Sequence, residues 1–289
     1  MADKKAAKAE PTWRARRYGQ MLEELRRAAG FKLEDVATYL RRSPSTVSRF
    51  ESGTYPVVGE ELKKLLTLYR VAEPEERERF LRRSEEVNQR GWHEGIITDR
   101  DFADFVWAED RYADWRIFQI DTITGSLQTK TWARELLSAG PQEASKVDDL
   151  VDARMIRGRI LLRDSNPPHA RFLLHENALA QRGASREATQ EQFTGLLDKA
   201  QLPNVEVRVL PATSWAHTVA GITGSFRVLQ NHRDWPALMY VETTGGGVVY
   251  EGHDIDSTVE AFDHIWDHDA WGQTRTMEYI ATMLKEVSR

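Results

Sequence analysis

Through the first quarter of the chain, apolar residues recur at three- and four-residue steps. Between Trp13 and Ala29 they fall at Tyr18, Met21, Leu22, Leu25 and Ala29, which predicts an amphipathic helix. Gly30 stands where a left-handed C-terminal cap is expected. Leu33, Val36, Ala37 and Leu40 predict a second, shorter helix. Ser43 then offers an N-cap oxygen, and Pro44 takes the first helical position, where its missing N–H costs nothing. The third helix follows over 44–52, with Val47 and Phe50 inward and Gly53 closing it. After the Tyr55-Pro56 turn, Leu62, Leu65, Leu66, Leu68 and Tyr69 mark a fourth. Two short helices about a tight turn are a helix-turn-helix arrangement, and small Ala37 suits their close approach.

The pattern then changes. Residues 74–89 are helical but so charged that Phe80, Leu81 and Val87 form only a thin stripe, so this helix is expected to space two domains. Gly91 and Gly95 break it, which puts a boundary near residue 90. Beyond it, helical periodicity over 98–115, 132–137, 149–162, 186–200, 257–266 and 274–287 is interleaved with strand-like stretches. Those strands are expected over 115–123, 171–174, 205–210, 224–229, 237–242 and 248–251, the last after a turn at Gly245–Gly247. The expected fold class is α + α/β, an N-terminal all-α helix-turn-helix domain followed by a larger mixed α/β domain. Its segments are a flexible basic arm over 1–11, the helix-turn-helix module over 12–70, a connecting helix over 71–90 and the mixed domain over 91–289.

Composition supports folded cores, with 40% hydrophobic and 29% charged residues in a chain of 289. The lack of cysteine excludes a disulfide scaffold, a thiolate metal site and a cysteine nucleophile. No apolar run approaches the ~20 residues of a membrane span, and no signal-peptide core follows Met1, so a cytoplasmic protein without membrane contact is expected.

The net charge of −5 would argue against nucleic acid, but its distribution does not. Residues 1–70 hold 15 basic and 9 acidic side chains, a net of +6, while the remainder carries −11. The basic part is expected to meet an anion. Ser45, Thr46, Ser48 and Arg49 face outward from the third helix, bordered by Ser43 and by Arg41-Arg42 in the turn. Hydroxyls reach phosphates or either base type. An arginine can hold guanine O6 and N7 together, worth about 1–3 kcal/mol of discrimination. Double-stranded DNA is the expected partner.

The segment LRRAAGFKLEDVATYLRRSPSTVSRFESG resembles the helix-turn-helix of Xre/Cro-type bacterial repressors. Leu25, Arg26, Gly30, Ala37, Ser43, Val47, Ser48, Glu51 and Gly53 fall on that family's pattern. The resemblance implies a buried ion pair between Arg26 and Glu51, base contacts from Ser45 and Arg49, and Thr46 at the groove edge. Lys32 and Leu33 depart from the usual Ser/Thr and Gln, which shifts expected affinity toward the basic arm and Arg41-Arg42. Farther on, ITGSLQTKTWARELLSAG, RFLLHENAL, LPNVEVRVLP, GSFRVL and ALMYVET resemble a domain that follows Xre modules in actinobacterial regulators. Gly125, Leu127, Gln128, Thr129, Ala133 and Leu137 match its opening; Thr124 and Ser126 do not. That resemblance implies an antitoxin-like context and a small partner protein encoded nearby.

Other chemistry is sparse. His264 and His268 lie one helical turn apart among Asp263, Asp267 and Asp269, a spacing that can share a metal. No Glu follows the first His, and a solvated helix face is the expectation. His175-Glu176 can serve as an acid–base couple or as a helix cap. Gly245–Gly247 lacks the Lys and Ser/Thr of a phosphate loop, and no G-x-S-x-G occurs. No catalytic residue, metal or cofactor is therefore expected, and the protein reads as a non-enzyme. Gln128, Thr129, Arg154, Arg157 and His217 are the candidate lining of a ligand pocket. The expected function is a dimeric, sequence-specific DNA-binding transcriptional regulator whose C-terminal domain senses a ligand or binds a partner protein. The alternative is an antitoxin-like protein that holds a small partner and autoregulates its own operon.

Overall fold

The computed structural model describes residues 11–289 except 90, 94, 98, 142, 181, 182, 223, 244 and 245. The arm expected over 1–11 lies, but for Pro11, outside the described residues. The chain divides into two compact units, one ending at Trp92 and the other starting at His93.

The first unit is helical: α1 (Trp13–Ala28), α2 (Leu33–Leu40), α3 (Pro44–Glu51), α4 (Gly59–Leu68) and α5 (Pro74–Asn88). The inward residues read from periodicity form its core, with Tyr18, Leu22, Val36, Val47, Phe50, Leu62 and Leu66 all at least 99% buried. Gly30 and Gly53 take the left-handed conformation their positions demanded, with φ of +80° and +69°. A close approach also joins α1 to the end of α3. A Cβ on Gly19 would stand 2.3 Å from the Glu51 carbonyl oxygen, and one on Gly53 would stand 2.3 Å from that of Ala15.

The connecting helix is a correction. Helix α5 belongs to the first unit, because Phe80 is buried against Tyr18 and the buried Ser84 hydroxyl donates to the Val57 carbonyl at 2.9 Å. Serine counted as polar in the periodicity, yet it completes the inward stripe.

The second unit contains α6 (Arg100–Glu109), β1 (Asp114–Gln119), a 3-10 turn (Gly125–Leu127), α7 (Lys130–Ser138), α8 (Ala144–Arg159), β2 (His169–His175), α9 (Glu176–Leu179) and α10 (Arg186–Lys199). It continues with β3 (Val205–Leu210), α11 (Ala216–Val219), β4 (Phe226–Gln230), β5 (Leu238–Thr243), β6 (Gly246–Glu251), α12 (Asp256–His268) and α13 (Gln273–Ser288). The helix expected over 98–115 stops at Glu109, since buried Tyr112 and Trp115 carry the chain into the sheet. The strand expected to run to residue 123 stops at Gln119, where the chain leaves the sheet for a loop.

The sheet order is β3-β2-β1-β4-β5-β6, parallel from β3 to β1 and antiparallel from β1 to β6. One face presents Phe118, Leu173, Phe226, Val228 and Met239 to Phe262, Ile265 and Trp266 of α12. On that face Asp263 is held by Arg116 at 3.0 Å and by Arg171 at 2.9 Å. By the two-residue alternation of strands, Ile117, Arg227 and Tyr240 lie on the other face. There Phe105 of α6 stacks on Tyr240, with ring centroids 5.0 Å apart.

Candidate nucleic-acid interface and ligand cavity

Helix α3 is fixed from both ends. At its start the Ser43 hydroxyl accepts from the Thr46 N–H at 3.2 Å, and Pro44 opens the first turn. At its end Glu51 takes a two-pronged ion pair from Arg26, Nε to Oε1 at 2.6 Å and Nη2 to Oε2 at 2.8 Å. The third Arg26 nitrogen donates to the Phe31 carbonyl at 2.8 Å, so this buried cation has a partner on every side. The hydrogen bonds to Glu51 raise the Arg26 guanidinium above its ordinary range. Removing one member of such a pair costs about 3–5 kcal/mol, because the other is left charged and buried.

The outer face of α3 carries Ser45, Ser48 and Arg49 exposed and Thr46 half-buried, over buried Val47 and Phe50. Arg49 lies back along the helix, donating from Nε to the Ser45 carbonyl and from Nη2 to the Thr46 hydroxyl, both at 3.3 Å. These weak contacts involve exposed groups, so the guanidinium can swing out at small cost. Arg41 occupies the turn between α2 and α3 with φ of +55°, and its side chain is exposed. Arg42, beside it, is tied to Glu61 of α4 at 2.8 Å, and that hydrogen bond raises its pKa. Glu61 was not among the candidate residues; it is a competitor that DNA phosphate would have to displace. The departure at Lys32 is compensated locally, since Asp35 accepts from the Lys32 backbone N–H at 2.8 Å. A carboxylate three residues after the N-cap position is the signal that could have revealed this.

In the second unit a cavity of about 280 Å³ opens at the carboxyl end of β1, the strand flanked by parallel β2 on one side and antiparallel β4 on the other. Gln128, Arg154 and Arg157 line it together with Arg227, which the sequence reading did not single out. Gln128 is a brace: its Nε2 donates to the Ile123 carbonyl at 2.6 Å, and its Oε1 accepts from Arg154 Nη1 at 2.7 Å. Lys199 braces the same loop, pointing Nζ at the Ser126 and Gln128 carbonyls at 3.2 and 3.4 Å, and burial pulls its pKa down to about 8. Arg157 is neutralised by buried Glu109 through two hydrogen bonds of 2.5 and 2.9 Å. Gly125 leaves room for that arginine, since a Cβ there would meet Arg157 Nη1 at 3.1 Å.

Arg227 is different. Its side chain is 9% exposed, and its nearest carboxylate is the 69% exposed Glu242, 3.6 Å from Nη2. It lies against the stacked Phe105 and Tyr240 rings, about 5.7 Å from each centroid. Its Nε and Nη1 have no hydrogen-bond partner. Burial, then the neighbouring Arg157 charge, pull its pKa down. The same causes bring Arg154 to about 10.

The remaining candidates lie elsewhere. The Thr129 N–H donates to Gln192 Oε1 at 2.8 Å where α7 begins, and Thr129 is not part of the cavity wall. His217 packs on His175 and Phe118, with ring centroids 5.2 and 6.1 Å away. The His175 ring accepts from the Asn177 N–H at 3.2 Å, so it caps α9. Burial, followed by the His217 charge, lowers the His175 pKa. Glu176 accepts from Ala212 N–H and from the Tyr279 hydroxyl, at 2.8 and 2.7 Å, which ties three elements together. His264 and His268 stack on each other at 4.5 Å, and among the described residues no cluster suited to a metal occurs. Among them, too, no helix is long and apolar enough to cross a membrane. Gly247 leaves room for the Tyr240 ring, which a Cβ would strike, and its N–H donates to Asp99 at 2.8 Å; Gly245 lies outside the described residues.

Comparison with protein families matches residues 17–80 to a helix-turn-helix domain and residues 102–282 to a domain of unknown function (DUF5753). The second match spans more than half of the chain, and the chain belongs to that family. Comparison with curated proteins finds no match. The helix-turn-helix match marks a DNA-binding regulator, with a C-terminal domain whose biochemical role the family description leaves open.

Proposed function

We propose that this DUF5753-family chain is an Xre-type transcriptional regulator that binds a two-fold operator as a dimer and senses a small ligand in its C-terminal domain without converting it. The observation that carries the DNA reading is α3. It is a short helix pinned by Ser43 and Glu51, with Ser45, Ser48 and Arg49 exposed on the side away from its core. A fixed helix offering two hydroxyls and one long cation meets the demands of major-groove readout. Dimeric binding follows from size, since one small module buries too little surface for high specificity and two half-sites a helical turn apart double it.

Genome-wide footprinting with the full chain tests this reading. The expected result is a palindromic site with half-sites about 10 base pairs apart, centre to centre. Arg49→Ala should weaken binding to that site by roughly 5- to 150-fold, with little change on scrambled DNA. Equal loss on both sequences would remove Arg49 from base readout. A non-palindromic or random footprint would overturn the dimeric, sequence-specific reading.

Partner binding by an antitoxin-like domain is the second reading. It is favoured by Trp215 and Val219 at α11, which are 77% and 82% exposed, an unusual placement for large apolar side chains. A stoichiometric small protein that co-purifies with the chain, and is lost in Trp215→Ser, would favour it.

A further inference from the structure

We propose that the cavity at the carboxyl end of β1 binds a small organic oxyanion, a carboxylate or a phosphate ester, gripped by Arg227 and Arg154; as the effector of the regulator it rests on the ligand-sensing reading above. A buried guanidinium with unpartnered N–H groups carries a desolvation cost that ring contacts and one carboxylate at 3.6 Å offset only in part. Arg227 is in that position, with Nε and Nη1 unmatched and one carboxylate, Glu242, 3.6 Å from its third nitrogen and facing solvent. Nε and Nη1 lie on different edges of the guanidinium, each beside Nη2, so a group with two acceptor oxygens would take one unmatched N–H together with Nη2, in the fork by which arginine binds carboxylate and phosphate most strongly.

The neighbours favour the same class. Arg154 lines the cavity and is held in place from behind by Gln128, itself tied to the loop. Arg157 adds positive potential although Glu109 already satisfies it. Two residues that line the cavity, Thr122 and Thr124, have buried hydroxyls without partners, donors that a small side-chain rotation would turn to an oxyanion. Three arginines face Glu109 and Glu242, so the wall holds an excess of donors and of positive charge, which a cationic ligand would worsen. Leu136, Leu137 and Leu150 form an apolar side. The volume of about 280 Å³ equals about nine waters at ~30 Å³ each, room for an oxyanion on a ring-sized apolar body but not for a nucleic-acid strand.

Thermal melting and titration calorimetry on the full chain test the site, with benzoate, phenyl phosphate and uncharged benzamide as probes. Benzoate or phenyl phosphate, or both, should raise the melting temperature saturably, and benzamide should not; the arm that responds names the oxyanion. Arg227→Met should weaken the responding probe at least tenfold while the unliganded chain melts no lower than wild type, since an unmatched buried cation has been removed. Arg154→Gln, at a half-buried position, should weaken the same probe and gives a readout if the first variant does not fold. No saturable response up to about 10 mM, or wild-type affinity in both variants, overturns the site. DNA binding, followed in the same samples, separates the two claims. A wild-type chain that binds no probe yet keeps its footprint sinks the cavity and leaves the regulator, whereas anion binding that leaves operator affinity unchanged keeps the site and overturns its role as effector.

Discussion

Two buried arginines, one in each unit, meet opposite fates. Arg26 in the helical unit gives its nitrogens to Glu51 and the Phe31 carbonyl, and its carboxylate partner is 8% exposed. Arg227 in the sheet unit keeps two nitrogens unmatched, and its nearest carboxylate is 69% exposed. A saturated buried cation is a strut, because every bond it can make is spent on the fold. An unsaturated one destabilises the fold until something else arrives, and such unfinished arrangements are where binding sites are found. Burial alone would have classed the two residues together; the inventory of their hydrogen bonds separates them.

The sharpest test of that contrast is Glu51→Ala, which should cost about 3–5 kcal/mol and loosen the helical unit. Amide hydrogen exchange resolved to α1 and α3 would read it, and a loss below about 1 kcal/mol would reduce the pair to the level of a surface contact. Gly19→Ala comes next. Its new Cβ would stand 2.3 Å from the Glu51 carbonyl oxygen, so the two helices must part, at about 1–3 kcal/mol by the cost of overpacking. Weakened Arg26 bonding, seen as faster exchange near Glu51, is expected alongside. Glu242→Gln should cost less than about 1 kcal/mol by denaturant unfolding, the value of an exposed pair. A cost near that of Glu51→Ala would erase the difference between the two arginines.

The smallest effect is a pH slope. Lys199 has a pKa of about 8 in the fold against 10.5 ordinarily, so between those values the unfolded chain binds more protons. Stability should therefore rise with pH across that window, and the full penalty of the buried charge should be present below it. In Lys199→Met the rise should disappear; an unchanged slope would assign it to another group.

What could be read from the chain follows the distance over which each feature is built. Ser43-Pro44, Gly30 and Gly53 mark helix ends because capping is settled within a few residues: α3 begins at Pro44, and α1 and α3 end two residues before Gly30 and Gly53. The letters of α5 describe a spacer because Ser84, a polar residue, is buried in a hydrogen bond to a residue 27 positions away. Of the five residues expected to line a pocket, Gln128, Arg154 and Arg157 share one cavity wall, while Thr129 and His217 lie outside it. Arg227 escaped notice because it sits in a strand whose alternation reads as one wet face. Only the pairing of β4 with β1, through Ile117 opposite Arg227, turns that face inward. Likewise Glu109 and Arg157 are 48 residues apart, and nothing local announces their bond.

The meeting of α1 and α3 has a consequence for how operator preference can change. At Gly19 and Gly53 the two backbones touch with no side chain between them, so there is no compressible layer through which a substitution could tilt the reading helix. On the proposed operator reading, new specificity would be reached by exchanging letters at Ser45, Ser48 and Arg49 on an unmoving plate, much as type is reset in a fixed frame. The module would then be a reprogrammable cassette whose scaffold need not be refitted each time the text it reads is altered.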